Sequence, residues 1–247
     1  MRAALLLPLL AGMVLAQDEK KHFDPDVHET TLRFGFSDFR IVPVRVHLLR
    51  SRQDDALQCR LEPKDVDRIF EKANRIWNRA GIFLRVESTV VEDAVVPKDF
   101  NGMVSGLHEF KHTRPEATLE EGMLHVYFVH RLPTNGVYQG RDCIFVKDTA
   151  SLREVKGGVD EPIPRVTSHE IGHAMGLQHR QDSINLMASG TTGWSLNDDE
   201  VRSVREWAGK RDWVLTPAAA FEKKLHATIL ALPGESPLKE KARESKP

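Results

Sequence analysis

The residues of this chain best suited to chemistry lie close together, in Ser168-His169-Glu170-Ile171-Gly172-His173-Ala174-Met175-Gly176-Leu177-Gln178-His179. On a helix, residues four apart share a face, so His169 and His173 can turn both imidazoles toward one metal ion. Gly176, three residues on, can take the left-handed conformation that stops a helix, and the chain can then return His179 as a third ligand. Three imidazole nitrogens at roughly 2.0–2.1 Å suit tetrahedral zinc and leave its fourth position for water, the arrangement of a catalytic rather than a structural site. Affinity order alone favours copper at such a site, but availability normally settles it for zinc. Glu170, beside the first ligand, can accept that water's proton as a general base. The spacing therefore predicts metal-assisted hydrolysis. Histidines scattered by chance on a helix surface would explain neither the glycine nor the third histidine.

The pattern His-Glu-x-x-His-x-x-Gly-x-x-His resembles that of the metzincin metallopeptidases. Asn185-Leu186-Met187 resembles the family's methionine turn beneath the metal, with Met187 as the methionine. Residues 73–82 are similar to the first helix of matrixin-type catalytic domains, and residues 195–200 to the start of their last helix. The resemblance covers about residues 39–209, an ordinary size for one domain. It implies an α+β fold with an α/β-like N-terminal part: a mixed twisted sheet, a crossover helix, an active-site helix, a methionine turn and a C-terminal helix. It also implies Zn2+ as cofactor and a protein or peptide as substrate. A peptide would pair with an exposed sheet edge at residues 136–140 by strand addition. Residues 191–194 would wall the pocket for the side chain after the cut bond, although Trp194 fits equally a core position capping the last helix.

Three departures limit the likeness. Arg180 follows the third histidine and matches no subfamily. No tyrosine follows Met187, so the extra tyrosine ligand of astacin-like members is missing. Cys59 follows the first predicted strand, so neither cysteine stands where the matrixin cysteine switch would. A structural calcium of the kind some relatives carry would draw on Asp142, Asp148 and Asp160, but no loop has a calcium-ligand spacing. A different class of function, a secreted zinc-binding or interaction module with little turnover, shares the ligands but gives no reason for Glu170. A narrow exopeptidase or single-partner processing enzyme would share every residue named and differ in closure of the cleft.

The elements that must position these residues follow from the rest of the chain. Residues 3–16 are almost wholly apolar and give way to Gln17-Asp18-Glu19. That reads as a signal peptide cleaved after Ala16, too short for a membrane span of roughly 20 residues, and it predicts a secreted or extracytoplasmic protein. Residues 17–38 read as a leader or N-terminal arm, residues 39–214 as the catalytic domain, and residues 215–247 as a C-terminal extension whose end is disordered. Lys and Arg number 35 against 36 Asp and Glu, and no basic stripe interleaves with aromatics, so nucleic acid is excluded as a partner. Composition leaves the oligomeric state open. Cys59 and Cys143 are compatible with one disulfide or with two buried thiols.

Alternation predicts a strand at residues 41–49, with Val42, Val44, Val46 and Leu48 on one face and Pro43 at a strand start or sheet edge. Helical spacing of Val66, Ile69, Phe70, Ala73, Ile76, Trp77 and Ala80, opened by Pro63 and closed by Gly81, predicts a crossover helix to a parallel strand at 82–86. Residues 88–122 read as a surface insertion with one short helix, which could close the cleft. Residues 123–132 and 143–146 read as buried strands. Ser195 or Asn197 can cap a helix whose inner stripe is Val201, Val204, Trp207 and Ala208, and one further helix is expected around residues 221–230.

A second His-Glu-x-x-His, His108 to His112, fails on context: Pro115 and Thr118 stand where the glycine and third histidine should. His125 and His130 read as hydrogen-bonded strand histidines rather than metal ligands. Asp24, Asp26 or Asp38 of the leader could block the zinc until the leader is removed.

Overall fold

The computed structural model describes residues 34–245 apart from 103, 156–158, 160 and 191. The expected signal peptide, Asp24, Asp26, Asp160 and Thr191 lie outside the described residues.

Strands β1 (Arg40–Arg50) and β2 (Ile82–Asp93) are parallel and joined by helix α1 (Pro63–Trp77), the predicted crossover unit. Pro63 opens α1, where a missing N–H costs nothing, and Gly81 closes the following turn at φ 66°. Val66, Ile69, Phe70, Ala73, Ile76 and Trp77 are buried on one stripe. Strands β3 (Leu124–Val129), β4 (Gly136–Tyr138) and β5 (Cys143–Lys147) complete a five-stranded sheet in the order β2-β1-β3-β5-β4. All pairs are parallel except the β4–β5 hairpin, which puts β4 at the edge. The result is a mixed α+β fold.

Pro43 is not at a sheet edge, because β1 is internal. It is tolerated because pairing with β3 begins only at Val44, so no ladder bond is lost on that side. Strand β2 runs seven residues beyond the predicted Val86, since β1 carries on to Arg50 after a bulge between Val44 and Arg45 and the pairing follows it.

One face of the sheet, with Val42, Val44, Val46 and Leu48, packs on α1, on helix α2 (Pro162–Ala174) and on helix α3 (Asp198–Gly209). Asn197 caps α3 by accepting from Glu200 N–H, and Val201, Val204, Trp207 and Ala208 are its buried stripe. The other face is covered by residues 94–119. These do not form a loose surface insertion with a helix; they make two 3-10 turns, Leu107–Thr113 and Glu116–Thr118, that press onto the sheet. Phe110 is wholly buried and sits edge-on to Phe100 and Phe145. The sequence hid this because two aromatics ten residues apart and scattered aliphatics have no period. On the same face His47 links Glu92 (2.5 Å) to His125 (2.9 Å), whose far nitrogen reaches the Glu120 carbonyl. Burial, reinforced by the neighbouring His125 and Arg45 charges, holds the His47 pKa down to about 3. His130 pairs with Asp148 at 2.8 Å.

The C-terminal region also differs from expectation. The single helix around residues 221–230 is two, α4 (Pro217–Glu222) and α5 (His226–Ala231), broken where Lys224 takes φ 59°. The tail expected to be disordered holds helix α6 (Pro237–Glu244), capped by Ser236. Charged by composition, α6 nevertheless buries Ala242 fully in a cluster with Phe36, Phe39, Ile41 and Ile229. Both cysteines are free and buried. Among the described residues no helix is long and apolar enough to cross a membrane.

If residues 94–119 are a packed cover, Phe110→Ala should cost about 3–5 kcal/mol, the usual loss for a buried phenylalanine. Urea denaturation checks this, and a loss below about 1 kcal/mol would mark the segment as a loose loop.

Candidate metal centre

Helix α2 emerges from under the sheet and buries nearly all its residues. His169 and His173 lie one turn apart on it, and the helix ends at Ala174. Gly176 then adopts φ 89°, donating its N–H to the His173 carbonyl while Leu177 N–H bonds the Gly172 carbonyl. A residue with a Cβ is strained at that φ. The chain reverses and brings His179 back beside the other two.

The three Nε2 atoms stand 3.1 Å (His169–His173), 3.1 Å (His173–His179) and 3.3 Å (His169–His179) apart. Nitrogens bound at about 2.0–2.1 Å around one tetrahedral ion would be separated by roughly 3.3 Å, so the spacing fits. Tautomers sharpen the point. His169 Nδ1 lies 2.7 Å from the Leu186 carbonyl and His173 Nδ1 2.9 Å from the Leu177 carbonyl. A carbonyl only accepts, so each Nδ1 carries the proton and each Nε2 is a bare lone pair. Burial, with smaller contributions from the neighbouring histidines, lowers the His169 pKa to about 4; burial likewise lowers that of His173. Two unprotonated lone pairs facing each other at 3.1 Å call for a cation. Among the described residues His169, His173 and His179 form the one group placed to hold a metal ion.

Glu170 lines the same cleft as the histidines and packs against edge strand β4. Its carboxyl accepts the Tyr138 backbone N–H, and burial, outweighing that bond, raises its pKa to about 8. Gly136 makes room for it: a Cβ there would stand 2.8 Å from Glu170 Cγ and 3.0 Å from its Oε1. The cleft in front of the histidines, about 780 Å3, is walled by β4 on one side and by Ser189, Gly190 and Thr192 on the other. Of the expected pocket wall Thr192 faces the cleft, whereas Trp194 is 2% exposed in the core with the Arg79 guanidinium 4.0 Å over its ring. Asp38 is engaged locally with Gly35 N–H. His108, on a 3-10 turn, pairs with its neighbour Glu109.

Met187 is fully buried beneath the centre, in the turn that supplies the Leu186 carbonyl to His169. That turn is held by Asn185, within it, and by Glu200 and Arg180, neither of which has a role at the site in the sequence pattern. Glu200, 1% exposed, accepts from Asn185 Nδ2 (2.8 Å) and from Arg180 Nε (2.9 Å). Asn185 Oδ1 accepts Met187 N–H at 2.7 Å, and Arg180 N–H donates to the Met187 carbonyl at 2.8 Å. Arg180, unplaced by the family pattern, thus ties the end of the third-ligand loop to the methionine turn. On the cleft's far wall, buried Arg165 donates Nε to the Thr192 carbonyl at 2.9 Å and Nη1 to the Arg153 carbonyl at 3.0 Å. A sequence-level signal existed for Glu200, an acid at the third position after the Asn197 cap, but it pointed only to helix capping.

No known family profile and no curated protein sequence matches the chain. Among solved structures it is similar to an archaemetzincin from Methanopyrus kandleri at 15% identity and TM-score 0.46, covering 70% of this chain and 97% of that one. A second archaemetzincin, from Archaeoglobus fulgidus and complexed with malonate, is 13% identical with TM-score 0.42, over 66% and 99% of the two chains. A metalloproteinase-II from Bacteroides fragilis is 13% identical with TM-score 0.40, over 72% of this chain and 55% of that one.

Removing the Glu200 carboxylate should loosen the turn that orients His169. Glu200→Ala is expected to weaken zinc binding by about 10- to 100-fold, the usual effect of losing a group that orients a metal ligand. Competition with a chromophoric chelator measures it, and unchanged affinity would show that the turn holds without this network.

Proposed function

We propose that the chain is a zinc-dependent endopeptidase, with His169, His173 and His179 as ligands and Glu170 as general base. The observation that carries this reading is the convergence of two carbonyl-fixed imidazoles and His179 in an open cleft whose wall holds a buried carboxyl group. A bound zinc ion would supply Lewis acidity there and bring the pKa of water toward roughly 7.

The chain's own groups divide the remaining work. Edge strand β4 offers an extended peptide a place to pair, giving affinity through backbone bonds with little demand on sequence. Glu170 Oε takes the proton of the attacking water and later delivers it to the leaving amine nitrogen. Burial favours the protonated carboxyl and the Tyr138 N–H favours the carboxylate, so both forms are within reach near neutral pH. Arg165, through the Thr192 carbonyl, fixes the wall opposite β4.

We place the activity outside the cytoplasm, on the support of the apolar run at residues 3–16, and assign the catalytic unit to residues 39–214. The matrixin-type likeness rests on residues 73–82 and 195–200, which fall on the end of α1 and the cap of α3.

The test is cleavage of a broad peptide library by the parent and by Glu170→Gln, with zinc measured in both. Zinc in both with turnover reduced at least 100-fold in the variant is expected, since general-base catalysis contributes about 10²–10⁴. Zinc in both without cleavage by either would replace the peptidase with a zinc-binding protein; undiminished cleavage by Glu170→Gln would remove Glu170 from the chemistry.

A further inference from the structure

Charge is balanced along the chain, 35 Lys and Arg against 36 Asp and Glu, but not at the far end of β4. There a cleft of about 670 Å3 is lined by Lys111, His112, Arg114 and Arg141 with a single acid, Glu116. Lys111 and His112 come from the 3-10 turn Leu107–Thr113, and Arg141 from the turn that joins β4 to β5. Arg114 is pinned by two partners, donating Nε to the Lys111 carbonyl at 2.7 Å and Nη1 to Cys143 Sγ at 2.7 Å. Neither partner is an anion, because burial pushes the Cys143 thiol pKa up. Among the described residues the side chains of Lys111, His112 and Arg141 make no ion pair. Three lasting positive charges therefore face one cleft with one carboxylate to offset them, an arrangement that favours an anionic ligand.

This cleft is separate from the one at the metal centre but lies further along the same stretch of chain, just past β4. Gln139, which lines it, directly follows β4, and its Nε2 donates to the Leu107 carbonyl at 2.5 Å. Leu107 in turn lines the metal cleft. Pairing with β5 uses the Asn135 carbonyl and the Gln139 N–H. By antiparallel alternation the peptide groups of Gly136 and Tyr138 then face away from the sheet, and the Tyr138 N–H does reach Glu170. A peptide laid antiparallel along this edge runs from the basic cleft toward Glu170, at about 3.4 Å per residue.

We infer that the cleft formed by Lys111, His112, Arg114 and Arg141 is a subsite for an acidic side chain of an extended peptide, about three residues before the bond to be cut. The inference rests on the peptidase reading for its register and on the charges alone for its ligand. An acid there meets several cations at a partly exposed site, so its advantage should be modest and should fall with salt.

The test uses fluorescein-labelled peptides that differ only in Glu, Gln or Lys at that position, bound to zinc-loaded full-length Glu170→Gln protein and followed by anisotropy. The Glu peptide should bind about three- to tenfold more tightly than the Gln peptide, with the gap closing near 0.5 M salt, where screening acts within roughly 4 Å. Reversing the charges in a Lys111→Glu/Arg141→Glu variant, both at solvent-reachable positions, should turn the preference toward Lys. Equal binding of the Glu and Gln peptides, or a Glu preference that survives the charge reversal, overturns the subsite. A reversible Glu preference with no peptide cut by the parent would leave the acidic subsite standing and overturn the peptidase reading instead.

Discussion

Three imidazole nitrogens within 3.1–3.3 Å of one another set the constraint to which the rest of the molecule answers. Lone pairs do not gather of their own accord, and two of the three rings are held by their other nitrogen. For His169 the anchor is the Leu186 carbonyl and for His173 the Leu177 carbonyl, so two backbone segments outside α2 decide where the bare nitrogens point. The methionine turn and the loop after Gly176 therefore matter through carbonyl groups rather than side chains. This explains why the acid that steadies the turn, Glu200, belongs to a different helix altogether.

The sheet supplies the rigidity against which these anchors work. Helices cover one face and the segment 94–119 the other, leaving β3 buried at every position. A strand covered on both sides has no polar face to show, as its near-continuous apolar sequence requires. At the opposite extreme β4 is three residues long and half-buried, with its outer edge unpaired in the sheet. Short edge strands resist unwanted pairing, so under the proposed function a peptide pairing here would need further contacts. Gln139, just past that edge, bonds the Leu107 carbonyl, and basic side chains line the cleft beyond it.

Much of this was legible from local pattern. The strand-helix-strand unit could be read because α1 carries a helical stripe between a proline start and a glycine stop, and the metal ligands because helix geometry makes the i, i+4 face unavoidable. The position of β4 against Glu170 was implied only by resemblance, and the reason Gly136 has no side chain was not legible at all, since the contact spans residues 136 and 170. The C-terminal helices were misjudged in the other direction. Composition read residues 237–244 as unable to order themselves, yet two apolar residues suffice for α6 once a ready-made cluster lies beneath them.

The sequence by itself determined which two imidazoles share a helix face, which carboxyl stands beside them and where that helix must stop, because each of these depends on spacing within a few residues. The tertiary structure alone decided which ring nitrogen is free, how far the Glu170 proton affinity is raised, what Arg180 pairs with and which cations share a cleft. Those properties depend on burial and on partners separated by tens of residues, from Arg180 with Glu200 to Arg114 with Cys143, and no local pattern encodes a distance across the fold.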